Sequence, residues 1–275
     1  MKRFKIPDFI RKRRVTLPFR KIKGIISENY NSKVLTEIWG DYIDWGKRRK
    51  GENGWLVNQL KKYNCHKVFE SSFGDGCDAI FLQKEGFDVT ANEIDKVFLK
   101  KGLQNTQREG VELKVTKLDW RELDKEIEKE SFDAVLSLGN SLTYLFIQSD
   151  QITVLKQFRS ILRPGGILII DERNYQYILD NRKEILKGNF YYSGKYVYCG
   201  EKVHGRPIEI TDEYVKFQYT EEATGKKGYL ILYPFRRDEM QKLLTKAGFS
   251  KIEQYSDYQP GYNPEADFFM YVCQK

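Results

Sequence analysis

A glycine-rich turn, ESSFGDG at residues 70–76, directly follows a predicted strand at residues 67–71. Gly74 and Gly76 have no side chain, so the backbone there can approach a ligand closely and then turn into a helix. With Ala79 they also fit the alanine variant of the dinucleotide-binding motif G-x-G-x-x-G. By itself this turn predicts either a nucleotide-type cofactor site, NAD included, or a plain connection between a strand and a helix.

Acidic residues at three successive strand ends make a cofactor site the better interpretation. Glu70 ends the first strand and Glu93 ends the second, where a carboxylate can accept hydrogen bonds from both ribose hydroxyls, worth about 1.5–3 kcal/mol each. After the third strand, Asp119 can accept from an adenine amino group and Trp120 can stack on the ring. The structural alternatives are a helix cap for Glu93 and a core position for Trp120. Together these residues predict a ligand at the carboxyl edge of a parallel sheet.

Short strands rich in β-branched residues alternate with amphipathic helices along most of the chain. These elements must position the candidate cofactor-binding residues. The predicted strands are residues 67–71, 87–91, 112–116, 133–138, 167–171, 251–256 and 267–273. The predicted helices among them are residues 79–86, 95–109, 151–162 and 238–247. This alternation predicts an α/β fold with a doubly wound, mostly parallel seven-stranded sheet, Rossmann-like, which an antiparallel hairpin completes.

Four regions follow from this pattern. We expect a basic N-terminal arm at residues 1–24 and a cofactor-binding α/β domain at residues 25–188, whose first part, to residue 62, is helical. Residues 189–233 are rich in Tyr, Val and Thr between Gly turns, which predicts an antiparallel β insertion. Residues 234–275 then complete the sheet.

The net charge of +8 belongs to the N-terminal arm, because residues 1–23 alone carry +9 and the remainder carries −1. Such an arm either binds nucleic acid or an acidic surface through counterion release, or folds over the body by means of its interleaved Phe and Ile residues. It contains no Ser and no stretch of small residues that resembles a cleavage site, which argues against a targeting peptide.

Composition indicates a globular, cytoplasmic protein. The chain contains no apolar run of about 18 residues, the length that a membrane span needs. Its four cysteines, Cys65, Cys77, Cys199 and Cys273, are scattered and form no CxxC pair, which favours reduced thiols. With only two histidines beside them, we expect no metal site.

From about Tyr30 to Phe190, four sequence blocks carry a family resemblance: GCDAIFLQKEGFDVT, FDAVLSLGNSL, LRPGGILIIDERNYQYIL and NFYYS. The chain resembles the glycine N-methyltransferases, including the glycine/sarcosine methyltransferases, of the class I fold that uses S-adenosylmethionine (SAM). LGNS and DERNYxYIL are the characteristic strings. The departures are Glu70 and Glu93, where Asp is usual, and Ser72 and Phe73, where small residues are usual. The resemblance implies SAM rather than NAD, with S-adenosylhomocysteine as the product.

The resemblance implies cofactor roles for ten positions: Tyr42, Arg49, Glu70, Ser72, Gly74, Gly76, Glu93, Asp119, Trp120 and Leu138. Arg49 would hold the SAM carboxylate, with its neighbour Arg48 as the alternative match.

On the acceptor side, the resemblance implies that Asn140 orients the amine and that Arg173 binds the acceptor carboxylate. Tyr192 would lie close to the methyl group, and Asn140, Tyr192 and Tyr42 form the implied catalytic set. Tyr30, Tyr219 and Tyr233 are further candidates for substrate binding. For Arg173 the structural alternative is an ion pair with Asp171 or Glu172. An Arg suits a carboxylate because its planar fork can bind both oxygens.

The sequence therefore predicts an enzyme that N-methylates glycine, sarcosine or another small carboxylate-bearing amine. Methyl transfer from a sulfonium is an in-line displacement, so the protein mainly brings a neutral amine to near-attack distance. The alternatives are an RNA or protein methyltransferase that uses the basic arm, and a SAM-binding regulator of low turnover. A homo-oligomer is compatible with the sequence.

Overall fold

Five parallel strands form the larger part of an eight-stranded sheet in the computed structural model, from its middle to one edge. They are β1 (Lys67–Glu70), β2 (Asp88–Asn92), β3 (Lys114–Thr116), β4 (Phe132–Ser137) and β5 (Leu162–Arg173). Their order is β3-β2-β1-β4-β5, so the chain reverses its direction of progress across the sheet at β1. Ligands of open α/β sheets bind at such a switch point.

The structure describes residues 24–25, 33–190 and 201–275. The basic segment 1–23, Tyr30 and Tyr192 lie outside the described residues.

Three helices precede the sheet: α1 (Lys33–Tyr42), α2 (Trp45–Glu52) and α3 (Trp55–Lys62). The crossover helices are α4 (Cys77–Lys84), α5 (Lys96–Arg108) and α6 (Gln148–Ile161). After β3 and β4 the chain forms 3₁₀ turns at Trp120–Lys125 and Ser141–Tyr144. The short helices α7 (Tyr175–Asp180) and α8 (Arg182–Leu186) follow β5. Side-chain caps mark the starts of α2 and α5, where the carboxylates of Asp44 and Asp95 accept from N–H groups of the first turn.

Apolar side chains alternate between the two faces of the sheet and supply two cores. Val68 and Ile169 belong to the core on one face, whereas Phe69 and Leu168 belong to the core on the other. Helices α1, α3 and α4 contribute to the first core, and α6 contributes to the second. Because both faces of the central strands are buried, the sheet can present functional groups only at its ends.

The C-terminal part of the chain completes the sheet through α9 (Glu239–Ala247), β9 (Ser250–Ser256), β10 (Gln259–Pro260) and β11 (Phe268–Gln274). Strand β11 lies antiparallel between β5 and β9. The predicted fold class and the predicted final hairpin are confirmed, with the two-residue β10 as an additional edge strand.

One expected turn is absorbed into a strand. Residues 163–166 (RPGG) lie between the predicted helix at 151–162 and the predicted strand at 167–171, but β5 runs through them with an irregular register against β4. Gly166 makes this possible, because a Cβ there would lie 2.8 Å from the Asp133 carbonyl oxygen.

The predicted insertion is a separate antiparallel sheet of three strands, β6 (Val203–Ile210), β7 (Val215–Glu221) and β8 (Lys227–Leu232). Helix α1 packs directly on it at Gly228, where an added Cβ would lie 2.8 Å from the Cα of Leu35. Surface ion pairs such as Lys226–Glu37, at 3.2 Å, span the same contact. Helix α1 and this sheet thus form one cover, called here the α1–insertion cover. The predicted domain boundaries stay a prediction.

Within the described ranges, no helix combines the length and the apolar composition needed to cross a bilayer.

The close contact at Gly228 predicts the effect of a single methyl group. Gly228→Ala should lower the free energy of unfolding by about 1–3 kcal/mol, because the new Cβ would push α1 away from β8. Gly40→Ala is the matched control, since Gly40 lies in α1, the other partner of this contact. Its added Cβ would meet only Lys101 Cε, at 3.8 Å. The control should stabilise the helix by about 0.5–1 kcal/mol. Denaturant titration of both variants tests this, and a Gly228→Ala chain as stable as the unsubstituted one would contradict the contact.

Candidate active site

A cavity of about 430 Å³ opens at the carboxyl ends of β1, β2 and β4, a size typical of small-molecule sites. The loops after these strands form one side, and the α1–insertion cover forms the other through residues such as Trp39 and Leu230. Eleven sequence-predicted residues line it: Tyr42, Glu70, Ser72, Gly74, Glu93, Asp119, Trp120, Leu138, Asn140, Arg173 and Tyr219. Arg49, Gly76 and Tyr233 are not among its lining residues.

The glycine-rich turn is tied to its neighbouring loops by short hydrogen bonds. Gly74, at φ 56°, donates its N–H to Glu93 Oε2 at 2.9 Å. Ser72 Oγ donates to the carbonyl of Leu138 at 3.1 Å. Gly76, at φ 93°, has a steric role instead, because an added Cβ would lie 2.8 Å from Ile80 Cδ1. The turn therefore joins the ends of β1, β2 and β4.

Glu93 holds its carboxylate in a fixed orientation. Besides the Gly74 N–H at Oε2, the Asp95 N–H donates to Oε1 at 2.9 Å. Burial raises the pKa of Glu93 to about 7, against the opposing effect of these two hydrogen bonds. The carboxylate retains lone pairs on both oxygens, so it can accept further hydrogen bonds from a ligand.

A buried cluster of charges lies at the end of β1. Arg48 binds Asp78 through Nε at 3.1 Å and Nη2 at 2.6 Å. Burial opposes ionisation of Asp78, but Arg48 and Arg49 together hold its pKa below the ordinary value. Burial raises the pKa of Glu70 well above its usual range, and its Oε2 atom has no hydrogen-bond partner among the residues described. Glu70 therefore offers an acceptor that a ligand ammonium or hydroxyl could satisfy.

The two adjacent arginines differ in position. Arg48 lines the cavity. The Arg49 guanidinium pairs with Asp78 and with Glu52 at 2.8 Å, and it lies 4.4 Å from the ring centroid of Phe81. Of the two matches that the sequence left open, Arg48 is the one whose side chain reaches the cavity.

Asp75 is a lining residue that the sequence reasoning missed. It is buried and accepts from Trp45 Nε1 at 2.9 Å. Its place in the string GDGCD, directly before the first turn of α4, is the signal that could have found it, because helix N-termini attract carboxylates.

Asp119 and Trp120 are positioned by protein groups at the cavity edge. Asp119 binds the guanidinium of Arg121 at 2.5 and 3.0 Å, and this bond holds its pKa below the ordinary value. The indole of Trp120 donates to the Ser71 carbonyl at 2.7 Å and contacts Phe158 edge-on. The indole N–H is therefore engaged, and only the ring face remains for stacking.

Asn140 connects the ends of β4 and β5. It adopts the left-handed conformation at φ 63°, which asparagine tolerates well. Its Oδ1 accepts from the Arg173 N–H at 3.0 Å, and its Nδ2 donates to the Tyr175 hydroxyl at 2.7 Å. Its own N–H and that of Gly139 donate to Asp171, at 2.6 and 3.0 Å. The side-chain amide is thus a link within the protein.

Arg173 is buried, and its guanidinium carbon lies 4.9 Å from the ring centroid of Phe217 and 4.8 Å from that of Phe268. The two neighbouring carboxylates have partners elsewhere. Asp171 accepts from the backbone after β4, and Glu172 Oε1 accepts from the Tyr271 hydroxyl at 2.8 Å. Burial raises the pKa of Glu172 to about 8.

The predicted tyrosines divide into two groups. Tyr42 and Tyr219 are buried in the cavity wall with ring centroids 4.8 Å apart, and both contact Trp39. Tyr233 lies outside the lining and donates its hydroxyl to Glu239 at 2.8 Å.

In the described part of the chain, no group of three or more His, Cys, Asp or Glu side chains is arranged to hold a metal ion. Cys65, Cys77 and Cys273 are buried free thiols.

Comparisons with known proteins identify methyltransferases as relatives of this chain. A family model described as "Methyltransferase domain" matches residues 68–166. The chain is 35% identical to a glycine/sarcosine N-methyltransferase of Halorhodospira halochloris, over 88% of this chain and 87% of that protein. It is 33% identical to a glycine/sarcosine N-methyltransferase of Aphanothece halophytica, over 90% of this chain and 92% of that protein. The crystal structure of a S-adenosylmethionine-dependent methyltransferase from Clostridium acetobutylicum shares the fold, with a TM-score of 0.67 at 14% identity over 88% of this chain and 96% of that one.

The raised pKa of Glu93 predicts a pH-dependent stability. Its folded value of about 7 exceeds the ordinary 4.5, so the stability that the protonated group contributes is present below about pH 4.5 and is lost as the pH rises through about 7. Glu93→Gln cannot ionise. Its free energy of unfolding, relative to the unsubstituted chain, should therefore rise by about 1–3 kcal/mol between pH 5 and pH 8 without ligand. A difference that stays constant over this range would show that Glu93 titrates normally.

Proposed function

Because the chain belongs to the glycine N-methyltransferase family of SAM-dependent methyltransferases, we propose that it methylates the nitrogen of a small amino acid, with glycine and sarcosine favoured. The observation that carries this proposal is the position of Arg173, a buried guanidinium in the wall of the cavity that also holds the glycine-rich turn. A buried cation at that place is suited to an acceptor with a carboxylate.

The described residues fit SAM. Glu93 presents a fixed carboxylate to the ribose hydroxyls. Glu70 offers an unsatisfied buried oxygen to the ammonium of the methionine part, and Arg48 faces its carboxylate. Around Arg48, the cavity is also lined by the carboxylates of Asp75 and Asp78. Burial raises the pKa values of Glu70 and Asp75, and the positive groups of SAM would favour the ionised forms of both carboxyls.

SAM supplies an electrophilic methyl group on a sulfonium. The chain has to desolvate the acceptor amine, keep it neutral and aim its lone pair. Tyr42 and Tyr219 bring electron-rich ring faces to the cavity, a surrounding that favours a nearby cation. Arg173 fixes the other end of the acceptor.

In this arrangement Asn140 helps to position Arg173, which binds the acceptor. Its Oδ1 already accepts from the Arg173 backbone, and its Nδ2 already donates to Tyr175. The amide keeps one N–H and one Oδ1 lone pair beyond these two bonds, so it can also contact the amine directly, which is the role that the resemblance implies.

The ribose assignment predicts a loss of SAM affinity. Glu93→Ala should weaken SAM binding by about 2–4 kcal/mol, because two charge-assisted hydrogen bonds are removed. Calorimetric titration measures this directly. Glu112→Ala, an exposed carboxylate before β3, is the control and should bind SAM normally. Unchanged affinity in a folded Glu93→Ala chain would remove the ribose assignment.

The acceptor assignment predicts a split between kinetic constants. Arg173→Lys keeps the charge but loses the paired geometry, so the KM for glycine should rise at least about tenfold while SAM affinity stays constant. Arg173→Ala should lower kcat/KM for glycine by about 3 kcal/mol or more, because the acceptor carboxylate would be buried unpaired. Arg182→Ala, which removes a surface guanidinium paired with Asp212, is the matched control.

A panel of acceptors separates this proposal from its alternatives. Glycine, sarcosine, dimethylglycine, methylamine and RNA are each incubated with labelled SAM. Methylamine should be a very poor acceptor, and the Arg173 variants should methylate it at the same rate as the unsubstituted chain. If methylamine or RNA accepts methyl groups as well as glycine does, the amino-acid assignment is wrong.

A further inference from the structure

Two phenylalanines from distant parts of the chain contact the guanidinium of Arg173. Phe217 lies in β7 of the insertion, and Phe268 is the first residue of β11. Both rings have their centroids within 5 Å of the guanidinium carbon, at 4.9 and 4.8 Å. We call these two residues the Arg173 aromatic pair. Neither is a tyrosine, an acid or a base, and no sequence motif marks either of them.

Ring contacts of this kind fix the position of an arginine side chain and also exclude water from its guanidinium. A guanidinium is attracted to the negative face of an aromatic ring, and the attraction grows when water is excluded. Both rings are only 1% exposed. Contact with them restricts the rotamers of the long arginine side chain, so less entropy is lost when a ligand binds.

The main sheet fixes Phe268. Its backbone pairs directly across from Arg173 in the ladder between β11 and β5. Its N–H donates to Asp257 Oδ1 at 3.0 Å. The segment just before it is held by Asn174, whose amide donates to the carbonyls of Pro264 and Ala266 at 2.8 and 2.9 Å. Phe268 is therefore the fixed member of the pair.

Phe217 brings the second ring from the cover. It pairs with Leu230 of β8 in the insertion, and its ring stacks on that of Tyr219 at 6.3 Å. Tyr219 and Leu230 themselves line the cavity. The contact between Phe217 and Arg173 is thus a point where the α1–insertion cover meets the acceptor side of the main sheet.

The geometry points to the Arg173 aromatic pair as positioning residues for the acceptor carboxylate. The two rings orient and desolvate the guanidinium, and Phe217 makes that orientation depend on the docked insertion. This inference rests on the proposed function, since it assumes that Arg173 binds the acceptor. It assigns acceptor recognition to two apolar residues that act through Arg173.

Stepwise fluorination of one ring tests this with almost no change of shape. Phenylalanine at position 217 is replaced by its mono-, di- and trifluoro analogues, and position 268 is treated in the same way. Each fluorine weakens the negative ring face, so the KM for glycine should rise stepwise, to about threefold to tenfold for the trifluoro ring. The Kd for SAM and the slow turnover of methylamine should stay constant. Phe249, a buried phenylalanine of the opposite core, is the matched position and should show no trend.

The role of the aromatic pair would be overturned if the KM for glycine stayed constant along the fluorinated series at both positions while Arg173→Ala raised it. The proposed function would then remain intact. If Arg173→Ala also leaves the glycine KM unchanged, the acceptor assignment fails and this inference fails with it. Phe217→Leu provides a genetic version of the test. It keeps an apolar side chain but removes the ring face, so it should raise the glycine KM in the same direction as the fluorinated series.

Discussion

The carboxylate of Asp171 accepts hydrogen bonds from two successive backbone N–H groups, those of Gly139 and Asn140, and so joins the ends of β4 and β5. The acceptor side of the cavity depends on this contact. It holds Asn140 in a left-handed conformation, from which the side-chain amide reaches the backbone of Arg173. The guanidinium of Arg173 then meets rings supplied by two other parts of the chain. One buried carboxylate thus organises a loop, a strand end and the side chain that faces the ligand.

The same edge of the sheet concentrates groups that are costly to bury. Burial raises the pKa values of Glu70, Glu93 and Glu172, and Asp78 pairs with the buried Arg48 and the half-buried Arg49. Buried ion pairs seldom stabilise a fold more than apolar residues of the same size would. The two cores on the faces of the sheet therefore have to supply the stability that the site does not. A ligand that donates hydrogen bonds to Glu70 and Glu93 would raise the free energy of unfolding, because it binds only the folded chain.

The periodicity of the sequence was sufficient to predict the sheet, the insertion and the edge at which the site lies, because strands with β-branched residues alternate with amphipathic helices. It could not choose between Arg48 and Arg49, since α2 (WGKRRKGE) has no apolar stripe to fix which of its faces turns inward. It also grouped Tyr233 with Tyr219, although the former lies just beyond β8 and turns toward α9. Phe217 escaped notice because its contact with Arg173 exists only after the insertion has packed on the main sheet.

The α1–insertion cover joins segments that are far apart in the chain, as its ion pair between Lys226 and Glu37 shows with a separation of 189 residues. During synthesis α1 is made well before β8, the strand that covers it. Its apolar residues Leu35, Ile38 and Tyr42, buried in the folded protein, have no native partner surface on the insertion until the insertion has been made. A nascent chain of this kind carries an uncovered apolar helix for many seconds, at elongation rates of about 5–20 residues per second. The α1–insertion cover can therefore fold only after β8 has been made.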